Sequence, residues 1–230
     1  MIDGLIFDKD GTLFDFRISW GQWAEGFLAQ IATGPEHAAQ LGRAIGFDAA
    51  TLTFAPESPV IAATAADIAA ALAPHLPGQT VVSLTALIDD TAGAAPMSEA
   101  VPLRPLLAAL RGRGLKLGVA TNDSEAPARQ HLAAHGITDC FDFIAGYDSG
   151  HGAKPGPGMC LAFAGALGLD PARVAMVGDS RHDLEAGRAA GMRTVAVLTG
   201  IAKRDELAPH ADVVLEDIGA IPGWLSGLQG

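Results

Sequence analysis

Positive charge is scarce in this chain. Fifteen lysines and arginines stand against 26 aspartates and glutamates in 230 residues, a formal net charge of −11. Phosphate backbones and anionic membrane surfaces would be repelled at long range, so no nucleic-acid or membrane partner is expected and any phosphate must be held locally. Cysteine is scarcer still, with only Cys140 and Cys160. Two cysteines cannot build a disulfide framework, so both are expected in a core and a reducing, cytoplasmic setting fits. Long hydrophobic runs are missing as well. The longest alanine-rich stretch, residues 60–73, is too short to span a bilayer and carries Asp67, which reads as a packed helix. Asp3 and the absence of a basic region before the first apolar run speak against a secretion leader. No internal repeat or low-complexity linker is visible.

Several motifs fail on spacing. GHGAKPG has alanine before Lys154 and so lacks the G-x-x-x-x-G-K-[ST] order of a P-loop. HLAAH places His131 and His135 at i and i+4 without the glutamate of a zinc protease, which reads as an ordinary helix face. No G-x-G-x-x-G follows a strand, so dinucleotide binding has no support.

What is present is a 49% hydrophobic composition, enough for one large core with a smaller lid. Residues 2–8, 115–120, 142–145, 173–178 and 194–198 are short apolar runs bounded by Gly, Asp or Asn, the pattern of strands buried on both faces. Helical stretches near 104–112, 125–135, 157–167 and 183–190 alternate with them. This alternation predicts an α/β fold, a Rossmann-like parallel sheet with helices on both faces and right-handed crossovers. Residues 17–97 carry no strand pattern but several helix starts, at Ser19 with Gln22, at Gly34-Pro35, at Ser58-Pro59 and at Thr80. They predict an inserted all-α cap domain of about four helices, leaving residues 1–16 and 98–230 as the α/β core, with the return hinge at 95–105. Trp23, Phe27 and Ile31 form a stripe expected to pack the cap's own core.

Four polar stations follow predicted strand ends, where ligands bind in parallel sheets. They are Asp8-Lys9-Asp10-Gly11-Thr12, Thr121-Asn122-Asp123, Lys154-Pro155 and Gly178-Asp179-Ser180-Arg181-His182-Asp183. Each alone reads as a turn, a cap or a solvated surface group. Together they offer a carboxylate nucleophile, anion donors, a cation and a hard-metal site such as Mg²⁺ prefers. The repulsion of Asp8 and Asp10, one residue apart, calls for such a cation. Strand alternation predicts that Lys9 between them faces away from both acids.

DKDGTL, ATND, KPGPG and GDSRHD, in this order, resemble the motif set of the haloacid dehalogenase-like superfamily, and the chain is similar to its phosphoglycolate phosphatase-like branch along nearly its whole length. The resemblance implies a Mg²⁺-dependent phosphatase acting on a small phosphorylated metabolite. Asp8 would be the nucleophile that becomes an aspartyl-phosphate, and Asp10 the acid and base for leaving group and water. Thr121, Asn122 and Lys154, with Gly11, would hold the phosphoryl group. Asp8, Asp179 and the carbonyl of Asp10 would bind Mg²⁺, with Asp183 acting through water or from behind the direct ligands. Arg17 is the candidate for substrate specificity, since Arg43 is the one other lysine or arginine between residues 13 and 100. P-type ion pumps read DKTGT where this chain reads DKDGT, and haloacid dehalogenases proper need no metal; phosphatase chemistry fits better than either. A phosphomutase of the same family and a non-catalytic phospho-acceptor module are the alternatives. The oligomeric expectation is a monomer or homodimer.

Overall fold

In the computed structural model, which describes residues 1–228, the first apolar run forms β1 (Gly4–Phe7), with every residue buried. The chain then leaves the sheet for α1 (Phe16–Ile31), α2 (Pro35–Ala44), a short antiparallel ribbon of β2 (Phe47–Asp48) and β3 (Thr53–Phe54), α3 (Pro59–Ala62), α4 (Ala65–Leu72) and α5 (Val81–Gly93). It returns through α6 (Leu103–Gly112), β4 (Lys116–Ala120), α7 (Glu125–Ala134), β5 (Phe143–Ala145), α8 (Gly158–Leu167), β6 (Val174–Gly178) and α9 (Arg181–Ala189). The last elements are β7 (Arg193–Val197), α10 (Arg204–Leu207), β8 (Val213–Leu215) and α11 (Ile221–Gly227).

The sheet is six-stranded, in the order β5-β4-β1-β6-β7-β8, and every pairing is parallel. β1 lies between β4 and β6, with Phe7 in register with Val119 on one side and Val177 on the other. The residues that follow these three central strands are therefore brought to one edge, at the point where the strand order turns outward in both directions. Alternation divides β1 between the two faces. Leu5 and Phe7 join an apolar cluster with Leu107, Val119 and Val177, while Ile6 joins Phe163, Met159 and Met176 on the other side. Cys140 and Cys160 are both buried, and burial pushes the Cys160 thiol up to about 12.

The helices between residues 16 and 93 have a third cluster of their own. Trp23 and Phe27 stack at 5.0 Å inside it, and Ile31 packs against its rim, as the stripe predicts. Four local expectations are corrected. The insertion is not purely helical, because Phe47–Asp48 and Thr53–Phe54 pair as an antiparallel ribbon whose two-residue strands are too short to carry an alternating pattern. The cap of α1 is Asp15, not Ser19: the Asp15 carboxylate accepts from Ile18 N–H, while the Ser19 hydroxyl donates to the Asp15 carbonyl and accepts from Ser98 N–H. The stretch 60–73 is two helices, because Thr64 and Asp67 form a capping box that starts α4 anew. β8 was missed, since a three-residue apolar run is too short to carry a period.

Candidate active site

Asp8 directly follows β1, its N–H donating to the Val177 carbonyl at 2.8 Å, and the chain then turns sharply. The N–H groups of Leu13 and Phe14 both donate to the Lys9 carbonyl, at 2.9 and 3.0 Å. The turn needs glycine at position 11. Its φ is +78°, and a Cβ there would lie 2.3 Å from Oδ2 of Asp179. Gly200 closes on the same carboxylate from the loop after β7, so Asp179 sits in a cradle shaped by two glycines. Thr12 donates to its other oxygen at 3.4 Å.

Lys154 is the centre of the arrangement. Its ammonium donates to Asp8 at 2.5 Å, to Asp183 at 2.6 Å and to the Ala120 carbonyl at 2.8 Å. Burial opposes the ammonium, yet Asp183 and Asp8 hold its pKa above the ordinary lysine value. Asn122 fastens the loop that carries it: the side-chain carbonyl accepts from Lys154 N–H, and the side-chain amide donates to the carbonyls of Lys154 and, in the helical insertion, Ala62. Asp183 uses its second oxygen to cap α9, accepting from the Ser180 N–H and hydroxyl. Thr121 is buried at the end of β4 and its hydroxyl accepts from Asp123 N–H.

Asp8, Asp179 and Asp183 present carboxylate oxygens within 4.8 Å of one another, all buried. Burial, aided by Asp183 and Asp10 and opposed by Lys154, pushes Asp8 up to about 7. Burial together with Asp183 and Asp8 holds Asp179 well above the usual carboxylate range. Three hard oxygen donors facing one fully committed ammonium leave excess negative charge, and this is the donor chemistry of a divalent cation site.

Two predicted residues behave differently from expectation. Lys9 does not turn away from both acids. Fully buried, at 0% exposure, it lies 2.7 Å from each carboxylate oxygen of Asp10, 3.1 Å from Asp123 and 3.2 Å from Nδ1 of His131. The alternation rule applies to a strand, and β1 ends at Phe7, so Lys9 already belongs to the turn. Arg17 is exposed and lines a separate surface hollow with Phe54 and Ile201, not the cavity over Asp8. It lies one helical position away from the buried Phe16 face.

Two functional partners escaped the sequence reading. Trp20 of α1 donates its indole N–H to Asp10 at 2.8 Å, and its ring lies 5.3 Å from the Lys9 ammonium. His131, read as an ordinary helix face, is buried beside Phe14 and bridges Lys9 to the Ala92 carbonyl at the end of α5. A carbonyl can only accept, so Nε2 carries the proton and Nδ1 accepts from Lys9. Burial, with the nearby ammonium, lowers the imidazole to about 4. Neither contact is local in sequence; the i, i+3, i+7 spacing of Trp20, Trp23 and Phe27 on α1 was the one available hint for Trp20.

The model of the haloacid dehalogenase-like hydrolases matches residues 2–191, and the chain belongs to that family of enzymes. Among individual proteins, it is 31% identical to a phosphoglycolate phosphatase of Rhodospirillum rubrum, over 98% of this chain and 91% of that one. A phosphoglycolate phosphatase of Neisseria meningitidis is 37% identical over 53% of this chain and 48% of its own length, so the likeness there spans about half of each protein. The crystal structure of CbbY from Rhodobacter sphaeroides in complex with phosphate superposes with a TM-score of 0.73 over 96% of both chains at 19% identity, which reflects a shared fold. No helix among the described residues is long and apolar enough to cross a membrane.

Proposed function

We propose that this enzyme is a Mg²⁺-dependent phosphatase that hydrolyses a small phosphomonoester through an aspartyl-phosphate, with residues 17–97 acting as a cap domain over a core of residues 1–16 and 98–230. The observation that carries this reading is the Lys154 ammonium bonded at once to Asp8 and Asp183, beside the buried acids that offer a divalent cation site. Asp8, Asp179 and the Asp10 carbonyl would hold Mg²⁺, with Asp183 behind them. When bound, the ion supplies positive charge that offsets repulsion between the carboxylates and an incoming phosphoryl group.

An oxygen of Asp8 attacks phosphorus, the bond from phosphorus to the alcohol oxygen breaks, and Asp10 donates a proton to the departing alkoxide. Water then attacks the phosphorus of the aspartyl-phosphate while Asp10 takes up its proton. Phosphate leaves and Asp8 is regenerated. Lys154 keeps Asp8 in place and neutralises phosphoryl charge, and Thr121 with the backbone N–H of Asn122 would hold phosphoryl oxygens; Gly11, whose N–H donates to the Phe14 carbonyl at 2.7 Å, would serve by shaping the turn instead. Lys9 and Trp20, both bonded to Asp10, fix the carboxylate where it can exchange protons. Positioning and charge stabilisation would supply most of the rate.

A phosphate-release assay over a panel of small phosphomonoesters, with Mg²⁺ and with chelator, tests the reading. Wild-type protein should release phosphate only with Mg²⁺, and Asp8→Asn should release none while remaining folded. Undiminished turnover by Asp8→Asn would exclude the nucleophile assignment.

A further inference from the structure

The cavity over Asp8 has two unlike walls. The helical insertion contributes Trp20 and Trp23 of α1, Val60 and Ile61 of α3, Ile68 of α4 and Ile88 of α5. Even the indole N–H groups are spent, that of Trp20 on Asp10 and that of Trp23 on the Thr91 hydroxyl at 3.2 Å. The two indoles meet edge to face at 5.1 Å, which fixes their orientation. The opposite wall carries Asp8, Asp10, Asp123 and Asp183, against which Lys154 is the lone lysine or arginine among the described lining residues. Its bonds go to Asp8, Asp183 and a carbonyl. His182, the remaining basic group on the wall, belongs to α9 and not to the insertion. The insertion's own arginines are elsewhere, Arg17 beside Phe54 and Arg43 in a hollow with Glu36 and His37.

A phosphomonoester whose phosphorus faces Asp8 must direct its alcohol portion toward the insertion, because the core side is filled by the residues that hold phosphate. There a carboxylate would lose its water against tryptophan, valine and isoleucine and gain no cation from the insertion, while Lys154 and Lys9 are already bonded to the acids opposite. An apolar group would instead bury its surface on that wall. The cavity is partly open to solvent, with about 50 Å³ of room for the centres of water-sized groups, which suits a small alcohol.

Resting on the phosphatase reading above, we propose that the substrate is a phosphomonoester of a small, uncharged, apolar alcohol, and that esters bearing a carboxylate on the alcohol, phosphoglycolate among them, are selected against. The cap of this chain is thus tuned to a different leaving group from the one named for its phosphoglycolate phosphatase relatives.

The test is calorimetric binding, to wild-type protein with Mg²⁺, of three non-hydrolysable phosphonates of similar size: 3-methylbutylphosphonate, 3-phosphonopropionate and 3-aminopropylphosphonate. The apolar compound should bind at least about tenfold more tightly than either charged one. Val60→Arg and Ile61→Arg, made separately at half-buried wall positions, should each shift the preference toward 3-phosphonopropionate. Equal or tighter binding of a charged compound by the wild type would overturn the proposal, as would a preference left unaltered by both variants. Binding needs no turnover, so the two readings separate. Apolar preference without hydrolysis of any ester would defeat the phosphatase reading alone, and hydrolysis with carboxylate preference would defeat this inference alone.

Discussion

At the scale of single residues, the acids at the start of the chain are distinguished by their surroundings and not by their type. Asp8 faces Lys154 and the buried acids, whereas Asp10 faces Lys9 and Trp20. The identity of both acids was legible in DKDGT, because their spacing has few other uses once three further stations follow strand ends. The orientation of Lys9 was not, since it depends on where β1 stops and on Asp123 and His131, more than 110 residues away. Burial works against its ammonium, yet Asp10 and Asp123 hold the pKa above the ordinary lysine value. Replacing Lys9 by methionine leaves Asp10 without the charge that positions it. Steady-state kinetics should show kcat reduced by about 10²-fold with KM little changed, and an unchanged kcat would show that Asp10 is positioned without it.

At the scale of elements, strands β1, β4, β5, β6 and β7 and helices α6 to α9 were readable because each carries an uninterrupted apolar run or a stripe between clear breakers, and their observed bounds differ from expectation by a residue or two. The insertion was readable only as helical. Its internal breaks depend on side-chain caps such as Thr64 with Asp67, and alanine-rich sequence hides these inside what looks like one helix. The contact between α7 and the end of α5 through His131 was invisible for the same reason that most tertiary contacts are: a lone histidine on an apolar face has many satisfactory partners. That contact has a pH signature. Folded His131 binds its proton only near pH 4, against about 6.5 in the unfolded chain, so above 6.5 both states are neutral and nothing is lost. As pH falls from 6.5 to 4 the unfolded chain gains a proton that the folded chain refuses, and stability drops by as much as about 3 kcal/mol. Denaturant unfolding of wild type and His131→Gln at several pH values should show this component in the wild type alone. Parallel curves would contradict it.

At the scale of the whole molecule, a chain of net charge −11 concentrates several carboxylates at one sheet edge and lets the central strands hold them there. The folded state tolerates this with Lys154 and with raised pKa values. Burial first of all pushes Asp8 up to about 7, so without metal the stability tied to its proton is fully present below about pH 4, is lost as pH rises from 4 to 7, and is gone above 7. A divalent cation requires the same carboxylates ionised, and its stabilisation grows in the opposite direction. Mg²⁺ should therefore raise Tm more at pH 8 than at pH 5.5, relative to chelator at each pH, in a thermal unfolding series; an equal or smaller shift at pH 8 would separate the acids from metal binding. The family was legible from four motifs in order, whereas the lack of a charged group among the described residues of the insertion's wall became visible only when α1, α3, α4 and α5 were seen around one cavity. The most direct measurement of the central claim is chemical trapping of Asp8 during turnover of a phosphomonoester with Mg²⁺. Rapid quenching and borohydride reduction, followed by peptide mass spectrometry, should convert Asp8 of the active enzyme to homoserine. Phosphate release by wild-type protein with Asp8 unmodified under the same conditions would contradict it.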